Sequence, residues 1–391
     1  MKQDWQIKKL GEVCEVIAGQ SPEGKFYNTV GEGLPFYQGK KEYGEKYIRD
    51  PKTWTKKVTK EAFAGDILMS VRAPVGPVNF ATQKICIGRG LASIRAGDLI
   101  DKEFLFYFLN NKEKELEGNS GAVFNSINKD QIKQIPIPLP PLSEQKKIVE
   151  VLDQAFAGIE QSRQNTKQNL KNAKEIFESY LQGVFENNGE DWEEKKLGDI
   201  CKFVRGPFGG SLKKNIFKPS GYAVYEQQHA IYDQFVEIRY FIDEVKFNEM
   251  KRFELNEGDL IMSCSGTMGR VAIVPKGIKQ GIINQALLKI STDKKILNTY
   301  LKWWMESESF QNSLKKYSGG AAIQNVASVS ILKSIEVPLP SIKQQQNIVH
   351  QLDALRAETQ KLEAIYTQKL NALDELQKSL LQKAFAGELV K

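Results

Sequence analysis

The chain has 391 residues, 41% of them hydrophobic, and a formal charge of +7. That length suits two or three domains of ~150 residues, and its apolar content supports packed cores. No secretory leader and no apolar run near the ~18 residues of a membrane span is legible. The expectation is therefore a cytoplasmic chain that does not cross a membrane.

The first globular stretch runs from about Trp5 to Ile135. It opens on Trp5, Lys8, Lys9, Leu10, Gly11 and Cys14. Strand-like runs at Asp66–Val71, Val78–Ala81 and Leu91–Arg95 are followed by a helical stretch at Lys102–Asn111. Next comes Ile137-Pro138-Leu139-Pro140-Pro141, which cannot lie inside a helix. Proline lacks the backbone donor and forces its predecessor into extended geometry. From Ser143 apolar positions recur at steps of 4 and 3, with one slip: Ile148, Leu152, Ala155, Ile159, Thr166, Leu170, Ala173, Phe177, Tyr180, Val184. This is a coiled-coil seam on a proline-free helix of roughly 40 residues, or about 60 Å.

The order then repeats. Trp192, Lys195, Lys196, Leu197, Gly198 and Cys201 restate the opening, and Gly258-Asp259-Leu260-Ile261-Met262-Ser263 restates Gly65-Asp66-Ile67-Leu68-Met69-Ser70. Strand-like runs follow at Asp259–Ser263, Val271–Val274 and Ala286–Ile290, then a helix near Ile296–Tyr317. Val337-Pro338-Leu339-Pro340 leads into a second seam: Ile348, Leu352, Leu355, Thr359, Leu362, Tyr366, Leu370, Leu373, Leu376, Leu380. Ser143 and Ser341 stand where N-caps belong, and Ser341 with Gln344 has capping-box spacing. Alone, either helix would leave its stripe wet, so the simplest arrangement pairs the two seams antiparallel. Two independent coiled coils that dimerise with other chains are the alternative. The expected boundaries are 1–141, 142–186, 187–340 and 341–391.

Catalytic apparatus is missing from the sequence. There is no P-loop, no H-E-x-x-H, no G-x-S-x-G and no calcium loop. The single Pro-Pro pair is followed by Leu142, unlike the Pro-Pro-aromatic turn of an amino-methyltransferase. Gly31-Glu32-Gly33 and Gly206-Pro207-Phe208-Gly209-Gly210 lack strand–glycine–helix context and read as turns. Cys14, Cys86, Cys201 and Cys264 form no C-x-x-C pair, and only His229 and His350 provide imidazole. Small buried thiols in a reducing compartment fit this pattern better than disulfides or zinc. No catalytic residue, metal or cofactor is expected.

Cations interleave with aromatics in both globular stretches. Lys40, Lys41, Lys46 and Lys56 stand among Tyr43, Tyr47 and Trp54. Arg205, Lys213, Lys214, Gln227, Gln228 and His229 stand among Tyr222, Tyr225, Tyr232 and Tyr240. Lysine and arginine can neutralise phosphates and fix register on a duplex. Glutamine can pair with adenine N6/N7, and Arg or Lys with guanine O6/N7. Gln38, Lys40, Gln227, Gln228 and His229 are the candidates for base reading. A solvated lysine-rich loop over core aromatics is the competing reading, and His229 serves equally well as a hydrogen-bonded structural residue. Arg72 and Arg89, which follow or lie in strand-like runs, suit phosphate contact or packing alike.

The sequence of globular unit, Pro-Leu-Pro joint and long helix, written twice, resembles the DNA-specificity subunit of type I restriction–modification systems along essentially the whole chain. Trp5 to Val13 and Trp192 to Ile200 carry the resemblance, as do the two Gly-Asp motifs. The most specific segments are Ile135 to Val149 and Ile335 to Val349. Leu339-Pro340-Ser341-Ile342-Lys343 departs mildly from the Pro-Pro-Leu-Ser-Glu form. Gly19-Gln20-Ser21-Pro22, Phe36-Tyr37-Gln38-Gly39 and Gly206-Pro207-Phe208-Gly209 look like target-recognition segments, which adds Gln20 to the DNA-binding candidates. The resemblance implies an α+β fold with two target-recognition domains of mixed or antiparallel sheet plus helices. Two long antiparallel coiled-coil helices would separate them with pseudo-two-fold symmetry. It also implies a non-catalytic chain that recognises a bipartite duplex site and brings two methyltransferase subunits, and in the full complex restriction subunits, to it. On this reading the two helices set the gap between half-sites. A self-contained modifying enzyme that binds S-adenosylmethionine, and a coiled-coil adaptor without DNA affinity, are the competing functions.

Overall fold

The computed structural model describes residues 5–117, 126–187, 189, 191–317 and 328–390. Two compact units emerge, residues 1–167 with 368–391 and residues 168–367, so each long helix is shared between them.

In the first unit the proline tract is a strand. Pro136–Leu139 pairs antiparallel with Gln6–Lys9, Lys9 opposite Pro136 and Gln6 opposite Leu139. Prolines at 136 and 138 share one parity, so the missing donors fall on one side and the other side can pair, as expected of an edge strand. The main sheet has four antiparallel strands in the order Cys14–Ala18, Leu91–Ala96, Ile67–Ser70, Val78–Phe80. A smaller sheet pairs Leu34–Tyr37 parallel with Ile85–Ile87. The helix Lys102–Glu117 buries six consecutive residues from Phe104 to Leu109 against the main sheet and the long helices.

The second unit repeats this plan. Glu193–Lys196 pairs with Glu336–Leu339, and the main sheet runs Cys201–Arg205, Leu287–Thr292, Leu260–Ser263, Val271–Ile273. Leu287 faces Ser263 as Leu91 faces Ser70. Tyr222–Tyr225 lies parallel to Gly281–Ile283, matching the parallel pair of the first unit. The expected helix near Ile296–Tyr317 is two helices, Asn298–Glu306 and Glu308–Tyr317. The break falls at buried Ser307, whose hydroxyl donates to Trp304 O at 2.7 Å.

The repeated Gly-Asp motif has a structural cause. Gly65 and Gly258 take φ of 88° and 84°, a left-handed turn that other residues rarely adopt. The following carboxylates are buried and satisfied. Asp66 accepts from Phe63 N–H (2.9 Å) and Ser93 Oγ (2.8 Å), Asp259 from Asn256 N–H (2.9 Å) and Ser291 Oγ (2.5 Å).

The long helices span Leu142–Glu186 and Ile342–Ala386. Their ends belong to the globular cores. In the first unit Ile148 and Leu152 share one buried cluster with Leu381, Ala384 and Phe385. In the second, Ile348 and Leu352 share one with Phe177, Leu181 and Phe185. The start of one helix therefore meets the end of the other in both units, and the helices run antiparallel within a single chain. The roles of the two helices are exchanged between the units.

Several of the expected seam positions change. Tyr180 is exposed and Leu181 is buried, while Phe185 takes the place given to Val184; on the second helix Leu362 and Leu376 are exposed rather than in the seam, and at its end Leu381 replaces Leu380. A straight helix drifts against a seven-residue repeat, and the last turns follow the face the globular core demands. Ser143 lies inside the first helix, which begins at Leu142, with Pro141 O accepting from Glu144 and Gln145 N–H. Ser341 does cap: its N–H donates to Gln344 Oε1 at 2.9 Å, and Gln344 N–H donates back to Ser341 Oγ at 3.4 Å.

Gln145 and Gln345 are fully buried and equivalent. Gln145 Nε2 donates to Pro140 O (2.8 Å) and Leu99 O (3.1 Å), and its Oε1 accepts from Asp101 N–H (2.7 Å). Gln345 does the same with Pro340 O, Lys295 O and Leu297 N–H. Each glutamine ties the Pro-Leu-Pro strand to the loop that precedes the next helix of its unit.

Candidate nucleic-acid interface

Four segments converge in the first unit. Gly19 N–H donates to Leu91 O, Gln20 N–H to Ile87 O, Gly88 N–H to Tyr37 O, Gly90 N–H to Gln38 O and Val71 N–H to Gly90 O, all at 2.8 to 3.1 Å. Glycine is required where they touch. A Cβ on Gly19 would lie 2.2 Å from Gly88 O, and one on Gly90 would lie 2.4 Å from Gln38 O. The exposed side chains on this rim are Gln20, Gln38, Lys40, Arg72 and Arg89.

The same mesh recurs in the second unit. Gly206 N–H donates to Leu287 O, Asn284 N–H to Tyr225 O and Cys264 N–H to Ala286 O, each at 2.9 Å. A Cβ on Gly206 would lie 1.8 Å from Asn284 O. The segments Gly19-Gln20-Ser21 and Gly206-Pro207-Phe208 thus occupy equivalent places. The exposed residues here differ: Phe208, 91% exposed, and Gln285.

The candidates fall into two groups. Gln20, Gln38, Lys40 and Arg72 meet on the first rim, and Lys41 follows Lys40 in the short turn Lys40–Glu42. In the second unit Lys213 and Lys214 are exposed beside the turn Lys214–Ile216. Gln227 lies against the 265–267 turn, its amide donating to Ser265 O and accepting from Ser265 Oγ at 3.3 Å. Gln228 is half-buried and reaches Glu237 O at 3.4 Å. Arg205 lies close to Cys264. Burial pushes that thiol up to about 11, and the Arg205 charge opposes the shift.

Three candidates are held in other ways. Lys46 pairs with Glu103 at 2.9 Å and Asp153 at 3.7 Å and sits over the rings of Phe106 and Tyr107. Burial disfavours its charge, yet the hydrogen bond and charge of Glu103 hold its pKa above the ordinary lysine value. Lys56 is exposed and paired with Glu32. His229 is fully buried: Nδ1 accepts from Glu226 N–H at 2.9 Å, and Nε2, as the N–H of the neutral ring, donates to Glu237 O at 3.0 Å. Both ring nitrogens are used within the unit, as in a hydrogen-bonded structural histidine. Two of the interleaved aromatics turn their hydroxyls inward, Tyr43 donating to Leu68 O and Tyr225 to Lys279 O, whereas Tyr47 and Tyr232 are exposed.

Reasoning from the sequence did not select Ser21, which accepts Arg89 N–H at 3.2 Å, or Gln285. Superposing the repeats on Leu91 and Leu287 would have found Gln285, since it then falls opposite Arg89. Among the described residues no group of three or more His, Cys, Asp or Glu could hold a metal, and no helix is long and apolar enough to cross a membrane.

The doubling is also seen when the chain is compared with known protein families. The model of the type I restriction modification DNA specificity domain matches residues 2–172 and 189–372. The chain belongs to this family. Its relatives include a protein described as the type I restriction enzyme MjaX specificity subunit of Methanocaldococcus jannaschii, 44% identical over 185 residues; the match spans 46% of this chain and 43% of that protein. The MjaIX specificity subunit of the same organism is 28% identical over 302 residues, 70% of this chain and 69% of the relative. A solved structure concerned with complex assembly and conformational transition of the type I R-M system has the same fold. It shows 19% identity and a TM-score of 0.83, with 100% of this chain and 99% of that chain covered. The specificity family recognises DNA targets and is non-catalytic.

Proposed function

We propose that this chain reads a bipartite duplex DNA site, one half with each globular part, and directs methyltransferase and restriction subunits to it from a cytoplasmic location. The observation that carries the reading is the doubled framework with unlike rims. Backbone hydrogen bonds and close glycine contacts recur position by position, while the exposed side chains differ. A scaffold repeated for recognition has this character, because the frame must stay fixed while the reading residues vary. On this reading Gln20, Gln38 and Lys40, all exposed, read base edges, and Lys41, Arg72, Arg205, Lys213 and Lys214 supply phosphate contacts. Gln227 and Gln228 stand beside the second rim. Lys56, exposed in a surface ion pair with Glu32, adds a phosphate contact, whereas Lys46 and His229 contribute through the packing and hydrogen bonds described above.

Binding of the full chain to a randomised duplex pool at several salt concentrations tests the proposal. Counterion release predicts a steep loss of affinity between 50 and 200 mM salt, and replacing Lys40 and Lys41 together by alanine should flatten the slope by about two. Binding indifferent to salt, or S-adenosylmethionine binding by the isolated chain, contradicts it.

A further inference from the structure

The two rims share one position whose side chain differs in chemistry. Arg89 sits at the tip of the turn that joins Ile85–Ile87 to Leu91–Ala96, and Gln285 at the tip of the turn that joins Gly281–Ile283 to Leu287–Thr292. The turns are held alike. Leu91 N–H donates to Gly88 O at 3.0 Å, and Leu287 N–H to Asn284 O at 3.2 Å. The preceding residue is fixed by Tyr37 O in one unit and Tyr225 O in the other. The following carbonyl is fixed by Val71 N–H in one unit and Cys264 N–H in the other. Both tip side chains are exposed.

The neighbours leave the tip residue as the group that projects. Gly88 and Gly90 have no side chains, and a Cβ at either would strike Gln38. Asn284 turns its side chain back, its Oδ1 accepting Ala286 N–H at 3.0 Å. The tip backbone is itself anchored by Arg89 N–H donating to Ser21 Oγ. Arg95, on the strand that leaves this turn, is committed to Asp66 and Glu15, whereas Arg89 enters no ion pair among the described residues. An exposed guanidinium on a rigid, glycine-flanked tip is positioned for a flat bidentate acceptor.

Resting on the DNA-reading proposal above, we infer that Arg89 and Gln285 are paired specificity determinants: Arg89 reads a guanine in one half-site, and Gln285 reads an adenine in the other. The guanidinium fork matches guanine O6 and N7, and the carboxamide matches adenine N6 and N7. Because the turns are equivalent, the two residues are interchangeable as readers.

The test is selection of sequences from a randomised duplex pool by the full chain and by Arg89→Gln and Gln285→Arg. Arg89→Gln should lose at least about ten-fold of its preference for guanine at one position, and should leave the other half-site as it was. Gln285→Arg should convert an adenine to a guanine preference in that other half. Thermal melting of each variant should match the parent, since both side chains are exposed. If both variants select the parental sequences, the inference is overturned and DNA reading stands. A loss of affinity uniform across sequences for Arg89→Gln, with a salt slope lower by about one, makes Arg89 a phosphate contact and also overturns it. If the parent chain selects no sequence at all, the DNA-reading proposal fails and the inference with it.

Discussion

At the scale of single residues, the structure separates groups that hold the frame from groups that can read. Gln145 belongs to the frame. Replacing it with alanine strands a buried N–H and two buried carbonyls, each costing about 1–3 kcal/mol when unsatisfied. Gln145→Ala should lower stability in urea by about 3 kcal/mol, and a change under about 0.5 kcal/mol contradicts the anchoring role. The buried thiols make a second prediction. Burial pushes Cys14 and Cys201 up to about 12 and Cys264 up to about 11, from a usual value of 9.0. Folded protein at pH 8 should resist iodoacetamide at these three cysteines and react at all of them once unfolded. The sign for stability follows. Unfolded thiols ionise near 9 and folded ones only nearer 12, so stability is undiminished below about pH 9 and falls as pH rises between these values. His229 shows where sequence reasoning stops at this scale. Its imidazole among cations and aromatics suits a base reader, but only the fold shows both ring nitrogens occupied.

At the scale of elements, the order of strands, joints and helices was legible because each has a local cause. Prolines exclude helix, alternation marks strands, and steps of 3 and 4 mark the seams. The ends of the seams were not legible. Tyr180 and Leu181 are both apolar, and choosing between them requires knowing which face meets the core built from Tyr300, Leu301 and Ile348. Leu181→Ala should therefore cost about 2–5 kcal/mol, whereas Tyr180→Ala should cost less than about 1 kcal/mol; chemical denaturation of the two variants decides, and the reverse order contradicts the register. The rims were half legible. Gln20 and Gln38 were legible through the resemblance of their segments and the pairing chemistry of glutamine, but the mesh that joins them to residues 71–72 and 87–90 is made of backbone hydrogen bonds between distant segments. Sequence pattern carries no record of such bonds.

At the scale of the whole molecule, the duplication was the clearest signal in the chain and it governs the fold. Each globular core is completed by the start of one long helix and the end of the other, so neither half of the sequence builds its unit alone. The proposed function requires that the two globular parts read DNA independently on a common frame. The most direct measurement compares the duplex sequences selected by the full chain with those selected by a chimera whose residues 198–334 come from another member of the family. Independent reading gives two short blocks of preferred sequence for the parent, of which the chimera changes one and keeps the other. A single undivided block, or a change in both, would contradict it.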